Sequence, residues 1–210
     1  DGDMDMLSAS YGDDKIAWYE NDGEQNFTER VISTSVNGAH HVFALDINGD
    51  GYIDVISSSF NEDKIVWHEN DGQQNFTDHI ITTNADNVKV IYAIDVDGDG
   101  NMDILSASYG DDKIAWYQND GDENFTENII SNSANVAHSV YAIDVDGDGD
   151  IDVLSALKGD DIVAWYENDG EESFTEHIIS TDADGAYYVY AEDLDGDGDM
   201  DALSASMDDG

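Results

Sequence analysis

There is no cysteine among the 210 residues, so neither a disulfide framework nor a thiolate metal site is available to hold the fold. Basic side chains are nearly as scarce: 6 Lys plus Arg face 50 Asp plus Glu, a formal charge of −44. A surface of that sign repels a phosphate backbone, which excludes nucleic acid as a main partner and points to cations instead. No apolar run approaches the roughly 20 residues of a membrane-spanning helix. The six histidines (40, 41, 68, 79, 138 and 177) follow no three-ligand zinc spacing and pair with no nucleophile, so neither a transition-metal site nor a triad is expected. Paired carboxylates abound, but each pair falls in a metal-type loop or a repeated Gly-Asp-Asp turn, and the reading is non-enzymatic.

What is present is enough apolar material, 40% of the chain, for one sizeable core or a short array of small ones. A charge of −44 opposes compaction, so bound divalent ions or a salty medium must offset part of it. The chain begins at Asp1 inside a motif that is complete elsewhere, and the expectation is a processed or excised piece of a longer, secreted chain.

The sequence repeats every 49 residues without insertion: Asp5, Asp54, Asp103, Asp152 and Asp201 share one context, and Trp18, Trp67, Trp116 and Trp165 another. Four periods leave fourteen residues, and these last fourteen repeat the first fourteen, so one strand is duplicated. The units are expected at about 1–41 (partial), 42–90, 91–139, 140–188 and 189–210 (partial), all within a single repeat domain.

Each unit reads as four short strands, A to D, separated by turn chemistry; in the third they are predicted at 90–95, 104–108, 113–118 and 125–130. Strand C alternates Ile114 and Trp116 with Ala115 and Tyr117, apolar on both faces, as a sheet sandwiched between two others requires. Strand B carries small residues and strand D polar ones, which describes a wedge widening away from an axis. The predicted fold is all-β: a β-propeller of four-stranded antiparallel blades, preferred to a β-helix, whose coils are shorter than 49 residues.

The A–B connection carries D-x-[DN]-x-D-G-x-x-D four times. Carboxylates at alternate positions of a tight loop converge on one point, as a hard cation with six to eight oxygen ligands demands. The ligand candidates at loop positions 1, 3, 5, 7 and 9 are Asp46, Asn48, Asp50, Tyr52 and Asp54; Asp95, Asp97, Asp99, Asn101 and Asp103; Asp144, Asp146, Asp148, Asp150 and Asp152; and Asp193, Asp195, Asp197, Asp199 and Asp201. A truncated copy supplies Asp1, Asp3 and Asp5. Position 7 is expected to offer its carbonyl, so its side chain varies. Serine stands where an EF-hand has its bidentate glutamate, and strands replace helices, so the expected Ca²⁺ affinity is weak, on the order of 10⁻⁴ to 10⁻³ M.

Four strands per unit with this loop between the first two resemble the FG-GAP/VCBS repeats of integrin α-subunit propellers, propeller lectins and secreted bacterial surface proteins. The resemblance implies calcium at Asp46, Asn48, Asp50 and Asp54 and at their counterparts in each unit. It also implies an extracellular or cell-surface location and a role in adhesion or recognition, the alternatives being a glycan-binding lectin or a subunit of a surface filament. Rings of this family have about seven blades, whereas this chain holds three complete ones, 42–81, 91–130 and 140–179. Either the segment after Tyr188 closes a small ring by strand exchange, or the chain self-associates or belongs to a longer array; the second is favoured.

The D–A loops differ most among units and place His40, Lys89, His138 and Tyr187 at equivalent positions, where contacts to a carbohydrate or protein ligand are sought. The four tryptophans are read as blade packing. Asn26, Asn75 and Asn124 begin Asn-Phe-Thr sequons, which are read as repeat consensus.

Overall fold

The computed structural model describes residues 2–207, which form seventeen β-strands and, among the described residues, no helix. No helix is therefore long and apolar enough to cross a membrane, a statement that leaves β-barrels aside. The strands build propeller-type blades. Blade 1 has three, β1 (Met6–Ser10), β2 (Lys15–Asn21) and β3 (Phe27–Ser33). Blade 2 is the four-stranded meander β4 (Ala39–Leu45), β5 (Asp54–Ser59), β6 (Lys64–Asn70) and β7 (Phe76–Thr82). Blade 3 holds β8 (Val88–Ile94), β9 (Asp103–Ser108), β10 (Lys113–Asn119) and β11 (Phe125–Ser131). Blade 4 holds β12 (Ala137–Ile143), β13 (Asp152–Leu157), β14 (Ile162–Asn168) and β15 (Phe174–Ser180), and the pair β16 (Ala186–Glu192) and β17 (Asp201–Ser206) follows. All pairings are antiparallel, and the chain packs as two compact units divided after Val88.

Within the second unit the blades stack A strand to A and B strand, β12 against β9 and β16 against β12 and β13. All six residues of β9 and all six of β13 are buried. Small side chains make that possible: Ser106, Ala107 and Ser108 let neighbouring backbones approach, while the hydroxyl of Ser155 donates to the Ser139 carbonyl at 2.7 Å. Strand C supplies the bulk. Ile114, Ala115, Trp116 and Tyr117 are each at most 1% exposed, so both faces of β10 are core, and Trp116 packs with Leu105, Val140 and Val153. Strand D is the outer edge, with Ile80 60%, Ile129 58% and Ile178 47% exposed.

The observed strands of blade 3 match the predicted ones within two residues at every end, and strand A starts earlier, at Val88. The D–A loop is shorter than its composition suggests because it closes on a bond from the Val88 N–H to the Ala85 carbonyl at 3.0 Å. Strand-exchange closure is not what is observed. β16 pairs with β17 in a two-stranded sheet, so the duplicated B strand occupies the edge that an exchange would need.

Candidate metal loops and the opposite rim

Each A–B loop is wound by its own carboxylates. In the loop 95–103, Asp95 accepts hydrogen bonds from the N–H groups of Gly98 (2.8 Å) and Gly100 (2.9 Å), Asp97 from Asp99 (3.1 Å), and Asp99 from Asn101 (2.8 Å). The same ladder recurs on Asp46, Asn48 and Asp50, on Asp144, Asp146 and Asp148, and on Asp193, Asp195 and Asp197. Both glycines of the loop hold left-handed backbone, φ 72° at Gly98 and 94° at Gly100, which is why positions 4 and 6 carry no side chain. The loop's own N–H groups thus take up part of each carboxylate's accepting capacity and leave other lone pairs for a further partner.

Three of the four loops bring three acidic groups together with ligand oxygens within 4.8 Å of one another: Asp95, Asp97 and Asp99; Asp144, Asp146 and Asp152; Asp193, Asp195 and Asp197. The loop 46–54, where Asn48 replaces a carboxylate, forms no such trio among the described residues. The oxygen donors, their number and their spacing fit a hard divalent ion. Asp3 and Asp5 remain from the truncated copy, and Asp1 lies outside the described residues.

Position 9 differs from the rest. Asp54, Asp103 and Asp152 are fully buried, and both oxygens of each take backbone N–H groups. In Asp103 these come from Val96 at 3.0 Å and from Asn119 at 2.8 Å, so the residue ties the acidic A–B loop to the C–D turn. Burial pushes its carboxyl up to about 6 against the opposing pull of those N–H groups, and the Trp116 indole is turned towards it without closing a hydrogen bond. Asp54 and Asp152 are raised for the same reason. Position 7, read from sequence as needing no particular side chain, packs that side chain on the glycine of the C–D turn. A Cβ on Gly72 would meet the Tyr52 ring at 2.4 Å, and one on Gly170 the Asp150 carboxylate at 2.5 Å.

The C–D turn also accounts for the sequons. The Asn26, Asn75 and Asn124 amides donate to Asp22 (2.8 Å), Asp71 (2.8 Å) and Asp120 (3.0 Å), closing the turn.

At the other ends of the strands, the last Asp of each B–C turn holds the D–A loop. Asp14, Asp63, Asp112 and Asp161, all at positive φ, accept from the N–H groups of Gly38, Asn87, Val136 and Gly185 at 2.8 to 2.9 Å. The residues proposed from sequence for ligand contact lie on this rim. His40 stacks on Phe60 with centroids 6.0 Å apart, and Lys89 sits 5.3 Å over Tyr109. His138 is only 4% exposed, bonds the Tyr187 carbonyl at 2.9 Å and packs on the Tyr187 ring at 3.7 Å. Sequence reasoning missed Tyr109 and Lys158, which occupy equivalent B–C positions; Lys158 stands 5.7 Å over the Tyr187 ring.

Trp67 and Trp116 are core, as read, and Trp165 is half-buried with its ring stacked on His177, whereas Trp18 borders a cavity of about 300 Å³ between blades 1 and 2, with Leu7, Phe76, Asp5, Asn70 and Gln74. In blades 3 and 4 the corresponding Leu105, Trp116, Val153 and Phe174 are packed with Val90 and Val96 from β8 and its loop. Blade 1 has no A strand among the described residues to fill that space.

A profile described as an FG-GAP-like repeat matches residues 1–57, 46–106, 95–155 and 144–204. No curated protein matches the chain. Among solved structures, a lectin of Agrocybe aegerita, described as recognising non-reducing terminal N-acetylglucosamine, is similar with a TM-score of 0.63 at 19% identity, over 96% of this chain and 60% of the lectin. The biofilm matrix protein Bap1 of V. cholerae is similar with a TM-score of 0.60 at 19% identity, over 95% of this chain and 30% of that one. A protein from Lactobacillus plantarum gives 0.66 at 16% identity, over 95% and 61%. The chain therefore spans less than two thirds of each of these structures, and the likeness is one of fold.

Proposed function

The chain belongs to the FG-GAP-like repeat family, and from that premise we propose that it is a non-enzymatic, calcium-binding propeller module that works outside the cell in adhesion or recognition. The observation that carries this reading is the convergence of three carboxylates in each of three loops, with oxygens within 4.8 Å, on a chain of charge −44. Like charges held that close repel one another, and a divalent ion between them turns repulsion into attraction. Calcium fits better than magnesium because the donors are many, all oxygen and partly carbonyl, and weak loops of this kind fill only where calcium is millimolar. The extracellular role follows from that concentration and is in keeping with the lectin and matrix-protein neighbours.

The test is thermal unfolding and solution mass with and without millimolar CaCl₂. An ion that binds only the folded state must raise the melting temperature, and a chelator must reverse the rise. No calcium-dependent shift would sink the metal reading and leave the acidic turns as backbone caps. The mass then separates a monomer from a self-associating array.

A second reading, carbohydrate recognition, is favoured by the cavity at Trp18, where aromatic rings meet the polar groups of Asp5, Asn70 and Gln74. Titration with N-acetylglucosamine, followed by fluorescence of the wild type and of Trp18→Phe, tests it. A saturable change absent from the variant supports the reading, and an unresponsive wild type removes it.

A further inference from the structure

Tyr92 on β8, Tyr141 on β12 and Tyr190 on β16 stand 49 residues apart, at one position of three successive A strands. Their rings form a ladder. The Tyr92 and Tyr141 centroids are 5.0 Å apart with 55° between the planes, and those of Tyr141 and Tyr190 are 4.7 Å apart with 49° between them. The ladder opens to solvent at Tyr190, which is 40% exposed, while Tyr92 and Tyr141 are half-buried. At that open end the Tyr190 hydroxyl donates to the Glu192 carboxylate at 3.0 Å. Blade packing does not by itself call for the hydroxyls, since β4 carries Phe43 at the same position.

We propose that Tyr141 and Tyr190 form an oxidative cross-linking site, at which a one-electron oxidant of the haem-peroxidase and hydrogen peroxide class joins the two rings into dityrosine. Each phenol gives up one electron and its hydroxyl proton to become a neutral phenoxyl radical. The Tyr190 proton passes along its hydrogen bond to Glu192, and the Tyr141 proton to solvent. The radicals combine through a new bond between one carbon ortho to each oxygen, and the hydrogen on each of those carbons then moves to oxygen and restores both phenols. The pair loses two electrons and two protons in all, which reduce one hydrogen peroxide to two waters. Rings already held side by side react without the entropic cost of an encounter. A radical formed on the exposed Tyr190 is one ring contact from Tyr141. Coupling between separate chains is opposed by the mutual repulsion of molecules at −44. The new bond ties β16 to β12, a covalent tie that a chain without cysteine cannot make by disulfide. The inference is independent of both the calcium and the carbohydrate readings.

The whole chain, dilute and in CaCl₂ or chelator, is treated with a haem peroxidase and limiting hydrogen peroxide, and the monomer is isolated by size exclusion. Dityrosine fluorescence and peptide mapping by mass spectrometry are read for the wild type, for Y141F and, as control, for Y11F, which removes a hydroxyl from a ring that is 51% exposed. Each variant is first checked for an unchanged melting temperature. The expected product, in both media, is a monomer lighter by two hydrogens in which the peptides holding Tyr141 and Tyr190 are joined. Its fluorescence should fall by about tenfold or more in Y141F and persist in Y11F. The wild-type map decides the matter even if Y141F is destabilised. Equal monomer fluorescence in wild type and Y141F overturns the proposal, as do cross-links confined to covalent dimers. Recovery of Tyr190 unmodified, whether other side chains are oxidised or Tyr141 is joined to Tyr92 instead, overturns it too.

Discussion

The Asp103 carboxylate accepts the backbone N–H of Asn119 at 2.8 Å, across a sequence separation of sixteen residues, and thereby joins the acidic A–B loop of blade 3 to its C–D turn. Its other oxygen takes the Val96 N–H at 3.0 Å, so one buried side chain satisfies two backbone donors. Asp103→Ala is expected to strand both donors and to lower stability by about 2–5 kcal/mol in urea unfolding. The exposed counterpart Asp201, which accepts from Leu194 at 3.1 Å, gives the contrast: Asp201→Ala should lose about 1 kcal/mol or less.

Asp97 is the carboxylate of the second complete loop whose loss should separate metal binding from folding. It stands in the trio with Asp95 and Asp99 and accepts the Gln118 amide at 2.6 Å. Asp97→Ala, which removes the oxygen ligand altogether, is expected to reduce calcium stoichiometry by about one ion in calorimetry, while the melting temperature in chelator is unchanged or higher because a like-charge contact has gone. An unchanged stoichiometry would show that this loop is not a site.

The His41 ring is largely buried, its Nδ1 has no hydrogen-bond partner, and burial followed by the charge of His40 lowers its pKa from 6.5 to about 4. The unfolded chain takes up a proton below pH 6.5 and the folded one only near 4, so acid favours unfolding through this group. Its contribution is present above pH 6.5 and is lost as pH falls towards 4, by up to about 3 kcal/mol. His41→Val, the residue found at the equivalent Val90, should flatten the pH dependence of urea unfolding between pH 7 and 4.5 relative to the wild type.

Gly72 has φ +73° and would place a Cβ 2.4 Å from the Tyr52 ring, whereas Gly49 has φ +72° and nothing within 4 Å. Both alanine variants bear the backbone strain, about 1 kcal/mol or more, but only Gly72→Ala must also displace Tyr52. In chelator, Gly72→Ala should therefore unfold at a lower urea concentration than Gly49→Ala, and Tyr52→Ala should recover part of the difference.

The blades were legible because turn chemistry and two-sided apolar strands recur at one period, as in β10, where Ile114 to Tyr117 read as core and are core. The loops were legible as clusters of acidic side chains, three of which bring carboxylate oxygens within 4.8 Å of one another, but not the division of labour within them. Asp99 and Asp103 are the same letter in one motif, yet one is exposed and caps its own loop while the other is buried and reaches Asn119. That distinction is tertiary, since it depends on where strand C ends. The role of Asp112 was hidden likewise: Gly-Asp-Asp reads as a turn, and nothing local shows that its last carboxylate will hold the Val136 N–H at 2.8 Å. Lys158 escaped because its equivalents are Tyr11, Phe60 and Tyr109, so a periodic comparison saw drift where the fold makes a neighbourhood.

The Asp14-type lock has a consequence for inheritance. Each lock is made by one unit's turn and the loop entering the next, with the same partners 24 residues apart at Asp14, Asp63, Asp112 and Asp161. Unequal crossing-over between any two copies, at matching positions, would deliver a chain in which every junction still finds its acceptor. The number of units can thus vary from one generation to the next without a new interface having to evolve, and selection can act on reach and valency while the unit itself stays unchanged.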